Sequence, residues 1–259
     1  MDLPAAAFNL AARHPQLATR AEFRTQLALG VAGMLTGDLD TAQTRLTMAQ
    51  ELMPDEPAPY VNMVQVLAAK DRLGEAEEWA LSGIAAQPNH HRLWEELARL
   101  YHMRGMSDGV ADKLLALANE RASWAGLSLG ANLMATGDRY LKSTLLERLY
   151  AQGEREPTFL VEFTGALGVA GELAKIPPII WEAERTSPAR LPWQLQVHCV
   201  QAHLAMGEAQ QALDRIAEIE RDPALPSGAA EPLAELRAEA RQALAENASV
   251  AEPTSPTLH

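Results

Sequence analysis

The feature that most constrains the fold is an internal period of about 34 residues. One turn-forming position recurs along the 259 residues, at Gly37, Asp71, Gly105, Gly137, Gly171 and Gly207. The successive steps are 34, 34, 32, 34 and 36 residues. A residue that adopts positive φ is what the end of a helix needs before a short turn into an antiparallel partner. The period therefore predicts stacked helix–turn–helix units, because such an array grows by adding repeats and not by enlarging one core.

The composition agrees with a helical protein of close packing. Hydrophobic residues make up 47% of the chain and aromatic residues only 5%. The net charge of −12 at pH 7 argues against binding to a nucleic-acid backbone, which needs clustered lysine and arginine. No apolar run approaches the roughly 18–20 residues of a membrane span, and the single cysteine, Cys199, favours a reducing compartment. We therefore expect a cytoplasmic protein without membrane insertion.

The residues around the turns resemble the tetratricopeptide repeat, a 34-residue pattern of large and small apolar positions, a turn glycine, alanines and a closing proline. The first unit supplies Leu29, Gly30, Gly37, Ala42, Leu46, Ala49 and Pro54, and the third supplies Trp94, Leu97, Ala98, Tyr101 and Gly105. The segment 127–138 repeats the segment 27–38 almost letter for letter. The resemblance implies an all-α fold, an α-solenoid of about six antiparallel helical hairpins in a right-handed superhelix, with a C-terminal capping helix.

The repeats also predict how the chain is divided. We expect an N-terminal helix or cap at 1–22, the repeat array at 23–226, the capping helix at 227–247 and a disordered tail at 248–259. The six units should lie near 23–56, 57–90, 91–122, 123–156, 157–190 and 193–226. A short helix over 5–13 would end at Pro15.

Prolines and small residues give more local expectations. Pro177 and Pro178 fit only the first turn of a helix, so the second helix of the fifth unit should begin late, near Pro177, and be short. Ser227 is expected to cap the C-terminal helix. On that helix Leu233, Leu236, Ala240 and Leu244 share the face that would seal the last repeat. Small residues of the first helices, Gly30, Ala98 and Gly130, should face Ala42, Ala76 and Ala212 on the second helices.

The resemblance further implies a binding surface, because the first helix of each unit lines the concave face, where the family typically binds peptides or partner helices. The groove positions carried over to this sequence are Leu27, Val31, Met34, Asn62, Gln65, Arg92, Glu95, Arg99, His102, Trp124, Leu127 and Met134, with Val161, Gly165, Gly168, Gln194, Val197 and Gln201 in the last units. This surface is largely apolar, which suits an amphipathic helix or an extended apolar segment. Trp124, which the register places towards the groove or the seam between two units, is the expected aromatic anchor.

Two alternatives concern the polar part of this surface. Asn62 and Arg92 match two positions with which chaperone-binding members of the family grip a terminal carboxylate, but Leu27, Val31 and Glu96 occupy others, so a carboxylate clamp is not expected. The polar residues of the third unit either contact a ligand or form a solvated face on which Glu95 pairs with Arg99 at i,i+4. Trp94 and Tyr101 fall at core positions of the repeat.

The sequence carries no pattern of catalytic or metal-binding residues. His198 and His203 are five residues apart, not the three or four that place two ligands on one helical face, and neither an HExxH motif nor a phosphate-binding glycine loop is present. We therefore expect no metal, no cofactor and no enzymatic activity. The preferred hypothesis is an adaptor or scaffold that binds another protein. The alternatives are a structural subunit that self-associates or forms part of a larger assembly and, less favoured, an enzyme.

Overall fold

The computed structural model describes residues 15–106, 109–134, 139–187 and 190–251. Within these ranges the secondary structure is helical and contains no strand. The described α-helices are α1 (Pro15–Thr36), α2 (Leu39–Leu52), α3 (Pro57–Ala69), α4 (Leu73–Ala86), α5 (His91–Met103), α6 (Val110–Glu120), α7 (Trp124–Leu133), α8 (Leu141–Ala151), α9 (Pro157–Ala170), α10 (Ile176–Thr186), α11 (Trp193–Ala205), α12 (Ala209–Glu220) and α13 (Ala230–Ala251). Short 3₁₀ helices, Leu173–Lys175 and Ser227–Ala229, precede α10 and α13. The predicted all-α helical repeat fold is confirmed.

The turn position of the repeat has the backbone conformation that the period predicts. Its φ angle is positive at Gly37 (80°), Asp71 (59°), Gly105 (78°), Gly171 (80°) and Gly207 (79°). Gly137 lies outside the described residues. Asp71 is the non-glycine member, and aspartate is among the few residues that enter this region at modest cost. Its backbone N–H donates to the carbonyl of Ala68 at 3.0 Å, which closes the helix end.

The chain forms two compact units, residues 1–136 and 137–259. The first contains α1 to α7 and the second contains α8 to α13. The predicted repeat at 123–156 is divided between them, since α7 lies in the first unit and α8 in the second. At the N-terminal side, α1 begins at Pro15, so the predicted boundary between residues 22 and 23 falls inside this helix. The helix expected over 5–13 lies outside the described residues.

A glycine allows the two helices of the α1–α2 hairpin in the first compact unit to approach closely. A Cβ added at Gly33 would lie 2.9 Å from the backbone nitrogen of Ala42 and 3.0 Å from the carbonyl oxygen of Asp38. A Cβ added at Gly30 would instead meet the side chain of Leu46 at 2.8 Å. The small residue that faces Ala42 is therefore Gly33, and the predicted pairing of Gly30 with Ala42 is corrected.

Glycines also mediate the packing of α7. A Cβ added at Gly126 would lie 2.7 Å from both the Cβ of Ala118 and the ring of Trp94. At Gly130 it would meet the side chain of Leu115 at 2.7 Å. The residue opposite Gly130 thus belongs to the preceding helix, α6, and is a leucine. The expected alanine of a following helix is not its neighbour, because α7 packs against α5 and α6.

Helix α13 covers the end of the core of the second compact unit. This helix packs against α11 and α12, and its buried residues join a cluster composed of Val200, Ala212, Ile216, Ile219, Ala229, Leu233 and Ala240, with Leu236 partly buried beside it. The structure thus has the predicted seal. Ser227 begins a 3₁₀ helix and is not the N-cap of the α-helix. The helix also continues to Ala251, so residues 248–251, expected in the tail, are helical.

The proline pair of the second unit acts as predicted. The α10 helix begins at Ile176 and is 11 residues long. Pro177 and Pro178 lie in its first turn, where a missing N–H costs no helical hydrogen bond. The 3₁₀ helix Leu173–Lys175 fills the gap between the turn at Gly171 and this late start.

Candidate partner-binding surfaces

The first helices of the repeats lie side by side within each compact unit. In the first unit α1 packs on α3, α3 on α5 and α5 on α7. In the second unit α9 packs on α11, and α11 on α13. Because the predicted site residues were placed on first helices, these two rows contain the surfaces on which the predictions can be compared with the geometry.

The row in the first unit places its predicted residues in different environments. We call it the α1–α3–α5 face and define it by half-buried Leu27, Val31, Met34, Asn62 and Gln65 and by exposed Arg92, Glu95, Arg99 and His102. The three apolar residues of α1 recur at i, i+4 and i+7 and share one side of the helix. Met134 is half-buried just after α7.

A buried carboxylate organises the polar part of this face. The side chain of Glu96 is only 1% exposed. It accepts hydrogen bonds from Gln65 Nε2 at 2.6 Å and from Arg99 Nε at 2.8 Å, and it forms an ion pair with Arg92 at 3.1 Å. A buried charge is stable only when paired and hydrogen-bonded in this way. Glu96 therefore fixes α3 against α5.

The ion pairs on α5 differ from the predicted pair of Glu95 with Arg99. Glu95 pairs with Arg92 at 3.0 Å, and Arg99 pairs with Glu96 at 2.6 Å. The expected i,i+4 pair between Glu95 and Arg99 is absent from the ion pairs of the described residues. Since both arginines already face carboxylates of their own helix, neither is a free cation for a ligand carboxylate.

Two predicted surface residues are buried. Trp124 is 3% exposed and Leu127 is 2% exposed. The indole packs edge-on against the ring of His91 with 4.9 Å between centroids, and the backbone N–H of Trp124 donates to Asn89 Oδ1 at 3.1 Å. The expectation that Trp124 anchors a partner is therefore corrected, because its ring has no exposed face to offer. The side chain lies in the seam between two units, the other position that the register allows. Trp94, by contrast, is in the core as predicted.

The row in the second unit contains an open groove of about 590 Å³. We call it the glycine groove; its lining residues are Thr164, Gly165, Gly168, Val169, Leu173, Ile176, His198, Gln201, Leu204, Ala205, Leu236 and Glu239. Three helices supply most of them. Gly165 and Gly168 are three apart on α9, His198 and Gln201 on α11, and Leu236 and Glu239 on α13, and this spacing puts each pair on one side of its helix.

The missing side chains of the glycines help to keep this groove open. A Cβ added at Gly168 would have no atom within 4 Å, and one added at Gly165 would have a single neighbour, His198 Cε1, at 3.5 Å. Glycine inside a helix is less favourable than alanine by about 1 kcal/mol. Here neither glycine is required by close helix packing, in contrast to Gly33.

The electrostatics of the glycine groove are simple. Glu239 is the one residue with a formal charge among its lining residues at pH 7. Burial lowers the pKa of His198 below its ordinary value, so its imidazole is neutral at that pH. Its Nδ1 lies 2.7 Å from Thr164 Oγ1, which also donates to the carbonyl of Leu160 at 2.8 Å. The groove is thus mainly apolar, with one negative charge on the α13 side.

A second cleft of the same unit surrounds a partly buried arginine. Arg215 pairs with Glu184 at 2.8 Å and with Glu218 at 2.9 Å at the edge of a cavity of about 240 Å³. Next to it Cys199 is fully buried, and burial raises the pKa of its thiol. Cys199 is therefore an inert core residue, since a reactive cysteine needs exposure and a lowered pKa.

The sequence analysis named some of the residues that line the glycine groove and missed the others. Of the six residues predicted on this row, Gly165, Gly168 and Gln201 line the groove. Val161, Gln194 and Val197 are not among its lining residues. Leu173 lies in the 3₁₀ helix before α10, and Ile176 is the first residue of α10. Leu236 and Glu239 lie on the capping helix. Neither the late start of α10 nor the capping helix follows the repeat pattern. Two glycines three apart in a helix that needs neither for a turn are the signal that points to this place.

Metal binding and membrane insertion are two other classes of function. In the described part of the chain, no group of three or more His, Cys, Asp or Glu side chains is placed to hold a metal ion. Among the described helices, none has both the length and the apolar character needed to cross a membrane.

The chain is similar to solved structures of low sequence identity. A tetratricopeptide repeat protein from Parabacteroides merdae ATCC 43184 is 15% identical, over 85% of this chain and 99% of that one, with a TM-score of 0.37. TTC0263, a thermophilic TPR protein of Thermus thermophilus, is 17% identical over 86% and 99%, with a TM-score of 0.37. YrrB, a TPR protein with an unusual peptide-binding site, is 13% identical over 77% and 87%, with a TM-score of 0.32. No family model matches this chain, and no curated protein is detectably similar to it.

Similarities this distant cannot decide a function. The evidence for the fold is in the structure of this chain: helical hairpins recur at a step near 34 residues, and φ is positive at the turn of each described repeat. The chain is an all-α protein built of repeated helical hairpins. It presents two rows of first helices, of which the second holds the glycine groove.

Proposed function

We propose that this protein is a non-enzymatic interaction scaffold and that the glycine groove holds a short apolar segment of a partner protein. The observation that carries the proposal is the open space between α9, α11 and α13, bounded by Leu204 and Leu236. Apolar clefts with a few polar groups are the usual form of a recognition site. A helix or an extended peptide would bury this surface, and Gln201 would orient its backbone.

The charge of the groove defines the partner more closely. Glu239 lies at the α13 side, and a basic side chain of the partner would meet it there. The neutral imidazole of His198 adds no opposing charge. We therefore propose a segment with large apolar residues and one lysine or arginine, and not the acidic peptide terminus that a carboxylate clamp would take.

The α1–α3–α5 face is proposed as a second, weaker contact. Its apolar part is Leu27, Val31 and Met34, and Asn62 lies on the neighbouring helix α3. These side chains are half-buried, so each contributes less new apolar contact than an exposed residue. The arginines of α5 are neutralised by Glu95 and Glu96, so this face has no strong preference for charge.

The test uses random peptides displayed on phage and panned against the whole chain. Peptides that are enriched are synthesised, and their affinity is measured by calorimetry. We expect apolar peptides with one basic residue, and we expect Gly168→Leu to weaken their binding at least about tenfold, because the new side chain fills the groove. Gly74→Leu is the matched control, since Gly74 is an open helical glycine outside the groove.

The outcomes separate the two surfaces. Glu239→Gln should weaken only the peptides that carry the basic residue, by about 1 kcal/mol as for a partly exposed ion pair. If Gly168→Leu leaves the affinity unchanged while the double variant Val31→Glu, Met34→Glu removes binding, the function belongs to the α1–α3–α5 face and the groove proposal is wrong. If no peptide is enriched, the scaffold proposal loses its support.

A further inference from the structure

A contact between α9 and α11 sets the position of the proton on the imidazole of His198. Thr164 Oγ1 lies 2.8 Å from the carbonyl oxygen of Leu160, one turn earlier on α9, and 2.7 Å from Nδ1 of His198 on α11. A hydroxyl has one proton to donate and can also accept. When that proton goes to Leu160, Oγ1 accepts from Nδ1–H, and both hydrogen bonds form. If it went to Nδ1, the bond to Leu160 would be lost, so the geometry favours the Nδ1–H tautomer.

The other ring nitrogen of His198 is then an acceptor without a partner in this chain. In the Nδ1–H tautomer, Nε2 has a lone pair and no proton. His198 is half-buried, and in the described ranges Nε2 forms no hydrogen bond. Nε2 is also not among the buried side-chain atoms that lack a partner, so it has surface open to solvent. Because His198 lines the glycine groove, this acceptor is available to a bound segment.

The space beside the acceptor has a backbone floor. Cε1 of His198, which is bonded to Nε2, lies 3.5 Å from the Cβ position of Gly165. A Cβ added at Gly168, one turn further along α9, would have no atom within 4 Å. Val169 and Leu204 are apolar lining residues of the same groove. A flat apolar ring can therefore lie against α9 with its edge towards the imidazole.

Hydrogen-bonding chemistry selects among the side chains that could lie there. The indole of tryptophan is a large apolar ring whose only polar group is an N–H that donates and cannot accept. A lysine or arginine also donates, but its charge is matched by Glu239 on the α13 side. A tyrosine hydroxyl has lone pairs that need donors of their own. Phenylalanine or leucine would cover Nε2 without pairing it, which weakens binding.

We propose that the glycine groove takes a tryptophan of the partner segment, whose indole N–H donates to Nε2 of His198, an inference that rests on the proposed function and adds the identity of the side chain. His198 is then the residue that determines specificity. The ring lies over Gly165 and Gly168, and the basic residue of the same segment meets Glu239.

The first test determines the tautomer without any ligand. Long-range ¹H–¹⁵N spectra of the whole chain, labelled in its histidine rings, distinguish protonated from unprotonated ring nitrogens. They are recorded at about pH 7.5, about one unit above the ordinary pKa of histidine. The signals of His198 are those lost in His198→Phe. We expect a protonated Nδ1 and an unprotonated Nε2. A protonated Nε2 overturns the proposal, because the groove would then offer a donor.

The second test compares indole with 1-methylindole, in which a methyl group replaces the N–H hydrogen. Both are titrated into the whole chain, and the backbone amide signals of α9 and α11 are followed by NMR. Indole should bind about fivefold more tightly, which corresponds to one hydrogen bond. The preference should disappear in His198→Phe. His102→Phe, at an exposed histidine of α5, is the matched control and should keep it.

The variant His198→Phe removes the acceptor with little other change. Thr164 Oγ1 still donates to the carbonyl of Leu160, so no buried hydroxyl proton is left unpaired. Circular dichroism checks that both variants remain helical. The comparison of the two probes on the unchanged chain needs no variant, so it decides the question even if His198→Phe does not fold.

The outcomes separate this inference from the proposed function. Equal affinities of the two probes overturn the inference, and so does the absence of indole binding. If the displayed peptides whose binding Gly168→Leu weakens contain no tryptophan, the groove binds a partner without this contact, so the inference is wrong and the proposed function stands. If Gly168→Leu leaves every peptide affinity unchanged, the proposed function is wrong and the inference falls with it, whichever tautomer is found.

Discussion

Replacing Gly33 by alanine should destabilise the α1–α2 hairpin, although the same change usually stabilises a helix. In an exposed helix interior, alanine is more favourable than glycine by about 0.5–1 kcal/mol. At Gly33 the new Cβ would lie 2.9 Å from the nitrogen and 3.1 Å from the Cα of Ala42, and 3.0 Å from the carbonyl oxygen of Asp38. All three are backbone atoms of the next helix or its cap, so no side chain can rotate to make room.

The magnitude follows from two opposing terms. Moving two packed helices apart by several tenths of an ångström costs about 1–3 kcal/mol, as for other overpacked cores. The helix-propensity gain offsets up to about 1 kcal/mol of this, so we expect a net loss of about 1 kcal/mol. Gly74→Ala is the control in the same compact unit. Its Cβ would meet nothing within 4 Å, so it should gain up to about 0.5–1 kcal/mol, and the two variants should differ by about 2 kcal/mol.

Hydrogen exchange is the suitable assay. A chain with two compact units need not unfold in one transition, so a single melting temperature would mix them. Exchange followed by mass spectrometry reports the opening free energy of α1 and α2 directly. If Gly33→Ala slows exchange in these helices as much as Gly74→Ala slows it in α4, the close approach of α1 and α2 is not what requires glycine at this position.

Three further predictions test other parts of the structure. Glu96→Gln should lower the opening free energy of α3 and α5, measured by hydrogen exchange, by about 1–2 kcal/mol, because the amide loses the charge-assisted bonds from the arginines of α5. Burial lowers the pKa of His198, so the unfolded chain binds more protons below pH 6.5; stability should therefore decrease as pH falls from 6.5 towards the lowered pKa, and His198→Asn should reduce this decrease in acid-unfolding curves. Cys199 should react with a thiol reagent at least about 100-fold faster in denaturant than in the folded protein, because it reacts only when its surroundings open.

The fold could be predicted from the sequence because its signals are local and repeated. The turn position recurs with the period, and its positive φ is a property of the backbone at that residue, including at Asp71. The late start of α10 followed in the same way from Pro177. Such features depend on a few neighbouring residues, so a single sequence contains them.

The site was harder to predict because it depends on rotation about each helix. A shift of one residue turns a side chain by about 100°, which is why Gly33 and not Gly30 faces Ala42. The same uncertainty left Trp124 between the groove and the seam, and in the structure it packs against His91 in the seam. Repeats fix the order of helices, but their side-chain environments depend on contacts between residues far apart in the chain.

Helix α13 connects the stability of the second unit to the proposed binding. Leu233 and Ala240 cover the core cluster, while Leu236 and Glu239 line the glycine groove. A segment bound there contacts the groove only when α13 is docked, so it must stabilise the docked state. At a concentration of 100 times Kd the gain is about 2.7 kcal/mol. A peptide selected for the groove should therefore slow hydrogen exchange in α11 and α13 while leaving α1 and α2 unchanged, and slower exchange in α1 instead would place the peptide on the first unit.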